Sequence, residues 1–147
     1  MTNGKLAVFA GLAAMLALGS GCIITTSDNT VDSGVFRATW SVNGSMLPTA
    51  CTAVGADKTS FLFTQRSNSM GFDEVFDCFD FRGDSVPLPL DSYTYVATLL
   101  QCPNTNAGCP GGTNLDAVGP LDDNFDTCSS ISSGICFADL PTIDFQR

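Results

Sequence analysis

Seven cysteines, fifteen acidic side chains and no histidine set the chemistry open to this 147-residue chain. Without imidazole, the Ser-His-Asp and Cys-His nucleophile systems and the usual catalytic zinc sites fall away. Cys51, Cys78, Cys102, Cys109, Cys128 and Cys136 read as disulfide formers, because a thiolate metal site needs closely spaced pairs in a reducing compartment. Cys51–Cys78 is expected to staple neighbouring elements across a core. Cys102–Cys109 and Cys128–Cys136 are the local solution for the rest, and the crossed pairing is its alternative. Asp122-x-Asn124-x-Asp126 carries the oxygen ligands and the spacing that open a calcium loop. An EF-hand then requires Gly and Glu where this chain has Thr127 and Ser133. A looser calcium site and a solvated acidic loop both stay open.

Two further patterns carry potential chemistry. Asp73, Glu74, Asp77, Asp80 and Asp84 are the carboxylates from which a glycoside-hydrolysing pair is drawn. Glu74 is the only glutamate, and no flanking pattern marks a cleft, so no enzyme is expected. Arg82-Gly83-Asp84 spells the tripeptide that integrins read. Gly and Asp are also ordinary turn residues, and a turn is the expectation.

These residues must be positioned by strands. In residues 35–42, Phe36, Ala38, Trp40 and Val42 alternate with Arg37, Thr39 and Ser41, the period of a strand with one buried face. Trp40 is the only tryptophan and is expected in the core. Asn43-Gly44 marks a turn. Residues 47–56 fit a loop or short helical turn. Residues 60–65 give a second strand. Residues 71–81 give a third with mixed faces, as an edge strand or a bulged one has. Residues 87–100 combine a Pro-rich turn with an alternating aromatic and β-branched strand. Residues 101–136 read as a long Cys-rich loop, unusual in a compact domain unless pinned or functional. Residues 135–140 and 142–145 are expected to close the fold.

The N-terminus has a different grammar. Lys5 precedes an apolar run over 6–18, then Gly19-Ser20-Gly21-Cys22. The run is short of the ~20 residues a membrane-spanning helix needs, and basic, apolar and small-residue regions in that order form a secretory signal. This stretch resembles the bacterial lipoprotein lipobox, with Gly19 where the family carries Leu. The resemblance implies a signal helix removed after Gly21, diacylglycerol on Cys22 and a lipid anchor. It also implies a cell-envelope location, with Ile23 favouring the outer membrane, facing the periplasm or the exterior. Assigning Cys22 to lipid leaves an even set of six cysteines. Residues 22–34, small and polar after Ile23 and Ile24, read as a tether reaching roughly 20 Å.

Leu88-Pro89-Leu90-Asp91-Ser92-Tyr93-Thr94-Tyr95 resembles a segment of transthyretin-like and carboxypeptidase-regulatory-like β-sandwich modules. That resemblance implies a tyrosine packed at a sheet corner, as in immunoglobulin sandwiches. The whole is similar to small lipoproteins of predatory soil bacteria. The expected fold is all-β: a small antiparallel β-sandwich over 35–147, stapled by disulfides.

The formal charge of −9 falls to −10 once Lys5, the only charge in residues 1–21, is removed. Nucleic acid binding requires a basic footprint, and there is none. The expected role is a non-catalytic binding or structural module whose loop meets a protein or glycan, through an exposed apolar patch including Phe125 or Phe137. The alternative is a secreted inhibitor or calcium-dependent adhesin using the same loop.

Overall fold

A computed structural model describes residues 30–103 and 108–147. The signal segment, Cys22 and most of the tether lie outside them. The chain forms a β-sandwich.

Strand β1 (Ser33–Val42) is central. Its inward set Phe36, Ala38, Trp40 and Val42 is buried, as the alternation requires. A left-handed turn at Asn43 and Gly44 ends it. Helix α1 (Pro48–Val54) follows, with Pro at its start and Gly55 as left-handed C-cap. Next come β2 (Lys58–Gln65) and β3 (Gly71–Asp77), then a 3-10 turn (Cys78–Asp80). β4 (Arg82–Asp84), β5 (Ser92–Gln101) and β6 (Thr113–Asn124) precede the short closing strands. Those are β7 (Ser130–Ser132), β8 (Ile135–Asp139) and β9 (Ile143–Phe145).

One sheet runs β4-β1-β8-β7, with β9 also on β1; the other runs β3-β2-β5-β6. β4 is antiparallel to β1, while β8 and β9 are parallel to it. The first sheet is therefore mixed, and the second is antiparallel. The mixed-face strand over 71–77 is an edge strand.

Aromatic rings join the two layers. Phe36 stacks on Phe63 at 5.1 Å, and Trp40 lies 5.7 Å from both Phe61 and Phe76. Tyr93, near the start of β5, donates its hydroxyl to the Pro89 carbonyl at 2.7 Å. The Tyr95 hydroxyl is buried and finds no hydrogen-bond partner among the described residues. Burial, reinforced by the Asp123 charge, pushes its pKa up to about 12, so it stays neutral.

Three sequence expectations change. Residues 33–34 belong to β1, not to a tether: the Asp32 N–H donates to the Gly134 carbonyl, and Gly34 and Leu88 exchange hydrogen bonds. Arg82-Gly83-Asp84 is strand, not turn. The reversal falls on Phe81 at φ 53, and a Cβ on Gly83 would overlap the Phe76 ring. Residues 101–136 are not one loop, because β6 pairs along the whole of β5. Two register shifts interrupt that pairing. At one of them Gly119 takes φ 125, and a Cβ there would lie 2.7 Å from the Tyr95 carbonyl oxygen.

The six cysteines of the domain pair as Cys51–Cys78, Cys102–Cys109 and Cys128–Cys136, the last two closing short loops. The first ties α1 to the 3-10 turn inside the core. The second closes the β5–β6 connection. The third joins the segment after β6 to β8.

Candidate functional site

Because β1 turns Phe36, Ala38, Trp40 and Val42 inward, Arg37, Thr39 and Ser41 must face outward. β4 lies on one side of β1, with Arg37 opposite Asp84 and Thr39 opposite Arg82. β8 lies on the other, with Arg37 opposite Asp139. One row across the sheet therefore reads Asp84, Arg37, Asp139. These residues line a groove of about 560 Å³ with Thr39, Arg82 and Gly83.

The groove's charges are left unpaired. Among the described residues the ion pairs are Lys58–Asp77 and Arg66–Asp122, both on the other sheet. Arg37 instead lays its guanidinium over the Phe137 ring, 4.3 Å from the centroid. That cation–π contact fixes the fork and leaves its outward N–H groups available. Thr39 and Thr142 share a hydroxyl hydrogen bond at 2.9 Å beside it. Phe137 is thus half-buried beneath an arginine rather than part of an open apolar patch.

The same face ends in a tight polar lock. Asp144 accepts from the Ser41 hydroxyl at 2.7 Å and the Gly44 N–H at 2.8 Å, and from the Gln146 amide. The Ser41 bond, then the Gly44 bond, hold its pKa below the usual carboxylate value. A depressed folded-state pKa contributes stability that is present above the ordinary carboxylate range and lost as pH falls through the folded value. Thermal unfolding scanned from about pH 5 to about pH 2 is therefore expected to show a wild-type advantage over Asp144→Asn that shrinks below about pH 4. An advantage constant with pH would exclude the ionised lock.

The other sequence candidates are placed differently. Asp122 pairs with Arg66. The Asn124 side-chain oxygen accepts from the Asp126 N–H at 2.9 Å. Between them Phe125 turns inward and stacks on Phe36 at 4.2 Å, so it is not an exposed contact residue. No group of three His, Cys, Asp or Glu side chains suited to a metal ion occurs among the described residues. Of the β3 carboxylates, Asp73 accepts from Ser60 and Asp77 pairs with Lys58 on the outer face. Glu74 points the other way and accepts from the Val86 N–H. A second depression, of about 340 Å³, opens beside Val31, Leu90 and Phe125 where the chain enters the domain. Of its two carboxylates, Asp91 and Asp126, the first is already engaged by Gln65 and Ser92.

Neither a family model, nor a curated protein, nor a solved structure matches this chain. The site rests on its geometry alone. Sequence reasoning found the outward polar positions of β1 but missed Asp139 and Thr142 as their neighbours. The only available signal was the alternation of residues 135–140, which places Phe137 and Asp139 on one face.

Proposed function

We propose that the protein is an exported module, anchored through lipid on Cys22, that binds a partner at the cell envelope without catalysing a reaction. The observation that carries this reading is cysteine use. Three bridges take Cys51, Cys78, Cys102, Cys109, Cys128 and Cys136, and Cys22 is the seventh. Disulfides persist in oxidising compartments outside the cytosol. Cys22 directly follows an apolar run and three small residues, where a signal peptide is cut and a thiol acylated. Two or more acyl chains hold a protein firmly, at about 0.8 kcal/mol for each buried CH₂. The acidic body repels anionic headgroups, so the chains do the holding.

The partner-binding surface of this reading is the Arg37 groove, rather than the calcium-dependent adhesin or inhibitor loop. Arg66 and the Asp126 N–H already occupy oxygens that a calcium ion would need.

Intact mass of the membrane fraction tests the anchor. The expected species lacks residues 1–21, carries acyl mass, and gains six protons on reduction. Cys22→Ala is expected to lose the acyl mass and leave the membrane. A soluble, unacylated wild-type protein would overturn the anchor and favour a diffusing secreted protein.

A further inference from the structure

The groove described above contains two arginines and two aspartates, none of them in an ion pair among the described residues. We infer that it is a binding site for a neutral, hydroxyl-rich polysaccharide strand laid across β4, β1 and β8. This rests on the reading of the protein as an exported binding module and names the ligand class of that surface.

Charge is the first argument. The groove is balanced, while the chain as a whole carries −9. A polyanion meets a repelling body and two carboxylates in the groove. A polycation is drawn to the acidic body but is opposed in the groove itself by the two guanidiniums. A neutral ligand meets neither obstacle.

Donor and acceptor order is the second. Across the sheet the row is acceptor, donor, acceptor at Asp84, Arg37 and Asp139. The next row places the Arg82 donor beside the Thr39–Thr142 hydroxyl pair. Neighbouring strands lie about 4.8 Å apart, so such groups recur at a spacing comparable to one sugar ring. Each sugar hydroxyl both donates and accepts, which is what an alternating row satisfies. Water held in an open groove is readily exchanged for such hydroxyls.

Shape is the third. The groove's volume of about 560 Å³ lies in the range of ligand sites, and its floor is the outer face of a sheet. It offers no apolar pocket to anchor a peptide side chain, because Arg37 covers the Phe137 ring. A glycan strand needs no such pocket.

Affinity electrophoresis of the detergent-solubilised full-length protein tests this. Separate gels contain a β-linked glucan, a mannan, an α-glucan or a polyuronate. The expected result is retardation by at least one of the three neutral polymers and not by the polyuronate. Arg82→Ala and Asp139→Ala, both at exposed positions, are expected to weaken it roughly tenfold each. Thr98→Ala, on the outer face of the opposite sheet, is expected to leave it unchanged. Intact mass with three bridges verifies the fold of each variant. Retardation by none of the neutral polymers would overturn the inference, as would retardation only by the polyuronate or an effect blind to the groove substitutions. Capture of a peptide, with no glycan retardation, would also overturn it. The outcome is separable from that of the anchor. An acylated protein that is not retarded removes this site alone, and a retarded protein without acyl mass removes the anchor alone.

Discussion

Replacing Trp40 with alanine is expected to lower unfolding free energy by about 3–5 kcal/mol, the range for a fully buried large aromatic. Trp40 has no exposed surface and packs between Phe61 and Phe76, the facing layer's inner and edge strands. Its indole N–H donates to the Cys78 carbonyl at 3.0 Å. Truncation therefore opens a cavity and also strips a buried carbonyl of its donor, a loss of about 1–3 kcal/mol by itself. Small domains are stable by roughly 5–15 kcal/mol, so one substitution removes a large share. Trp40→Phe separates the two contributions, because it keeps most of the packing and still loses the N–H. Guanidinium unfolding followed by far-UV circular dichroism is the appropriate readout, since Trp40 is the chain's only indole fluorophore. A loss under about 1 kcal/mol for Trp40→Ala would mean that the layers do not meet at this residue.

The second large effect is expected from the paired substitution Cys51→Ala with Cys78→Ala. The bridge spans 27 residues of sequence, against 7 for Cys102–Cys109. On chain-entropy grounds its removal costs about 3.5 kcal/mol and the smaller loop's removal about 2.3 kcal/mol. Packing widens that gap. Cys51 and Cys78 are fully buried, while Cys102 and Cys109 are partly exposed. Without the bridge, α1 is tied to the 3-10 turn only by packing. Thermal unfolding of both double variants, at one pH and protein concentration, ranks them. If the Cys102/Cys109 variant proves the less stable, loop length does not govern the effect and the account fails.

The strands that stayed legible in the sequence are those with strict alternation. Residues 92–101 bury every second side chain, and residues 35–42 bury the whole set Phe36, Ala38, Trp40 and Val42 with Val35 and Ser41 covered on the other face, so period alone fixed their inner faces. β6 was read as loop for a definite reason. Its partly buried apolar residues Leu115, Val118 and Leu121 fall three apart, because two register shifts against β5 break the period of two. The Arg82-Gly83-Asp84 turn failed differently. Glycine there serves close packing under Phe76, and the backbone reversal was taken by Phe81, a residue type that gives no turn signal. Disulfide pairing was legible only in part: Cys51–Cys78 was expected, while spacing left the local and crossed pairings of the other four cysteines open and the structure takes the local one. The groove was not. Arg37, Asp84 and Asp139 come from strands far apart in sequence, and an outward polar residue does not name its cross-strand neighbour. The parallel placement of β8 beside β1 was equally hidden, since alternation carries no direction.

That placement bears on how the chain comes to be folded. β1 takes one neighbour from residues 82–84 and the others from residues 135–145. A ribosome makes β1 well before β8 and β9. One hydrogen-bonding edge of β1 can be met by β4, while pairing with β8 and β9 waits for residues 135–145. Such sequence-distant pairing is closed slowly, after a large entropic cost. The first sheet is thus completed only when residues 135–145 are in place, so folding of that layer trails the making of its central strand by most of the domain.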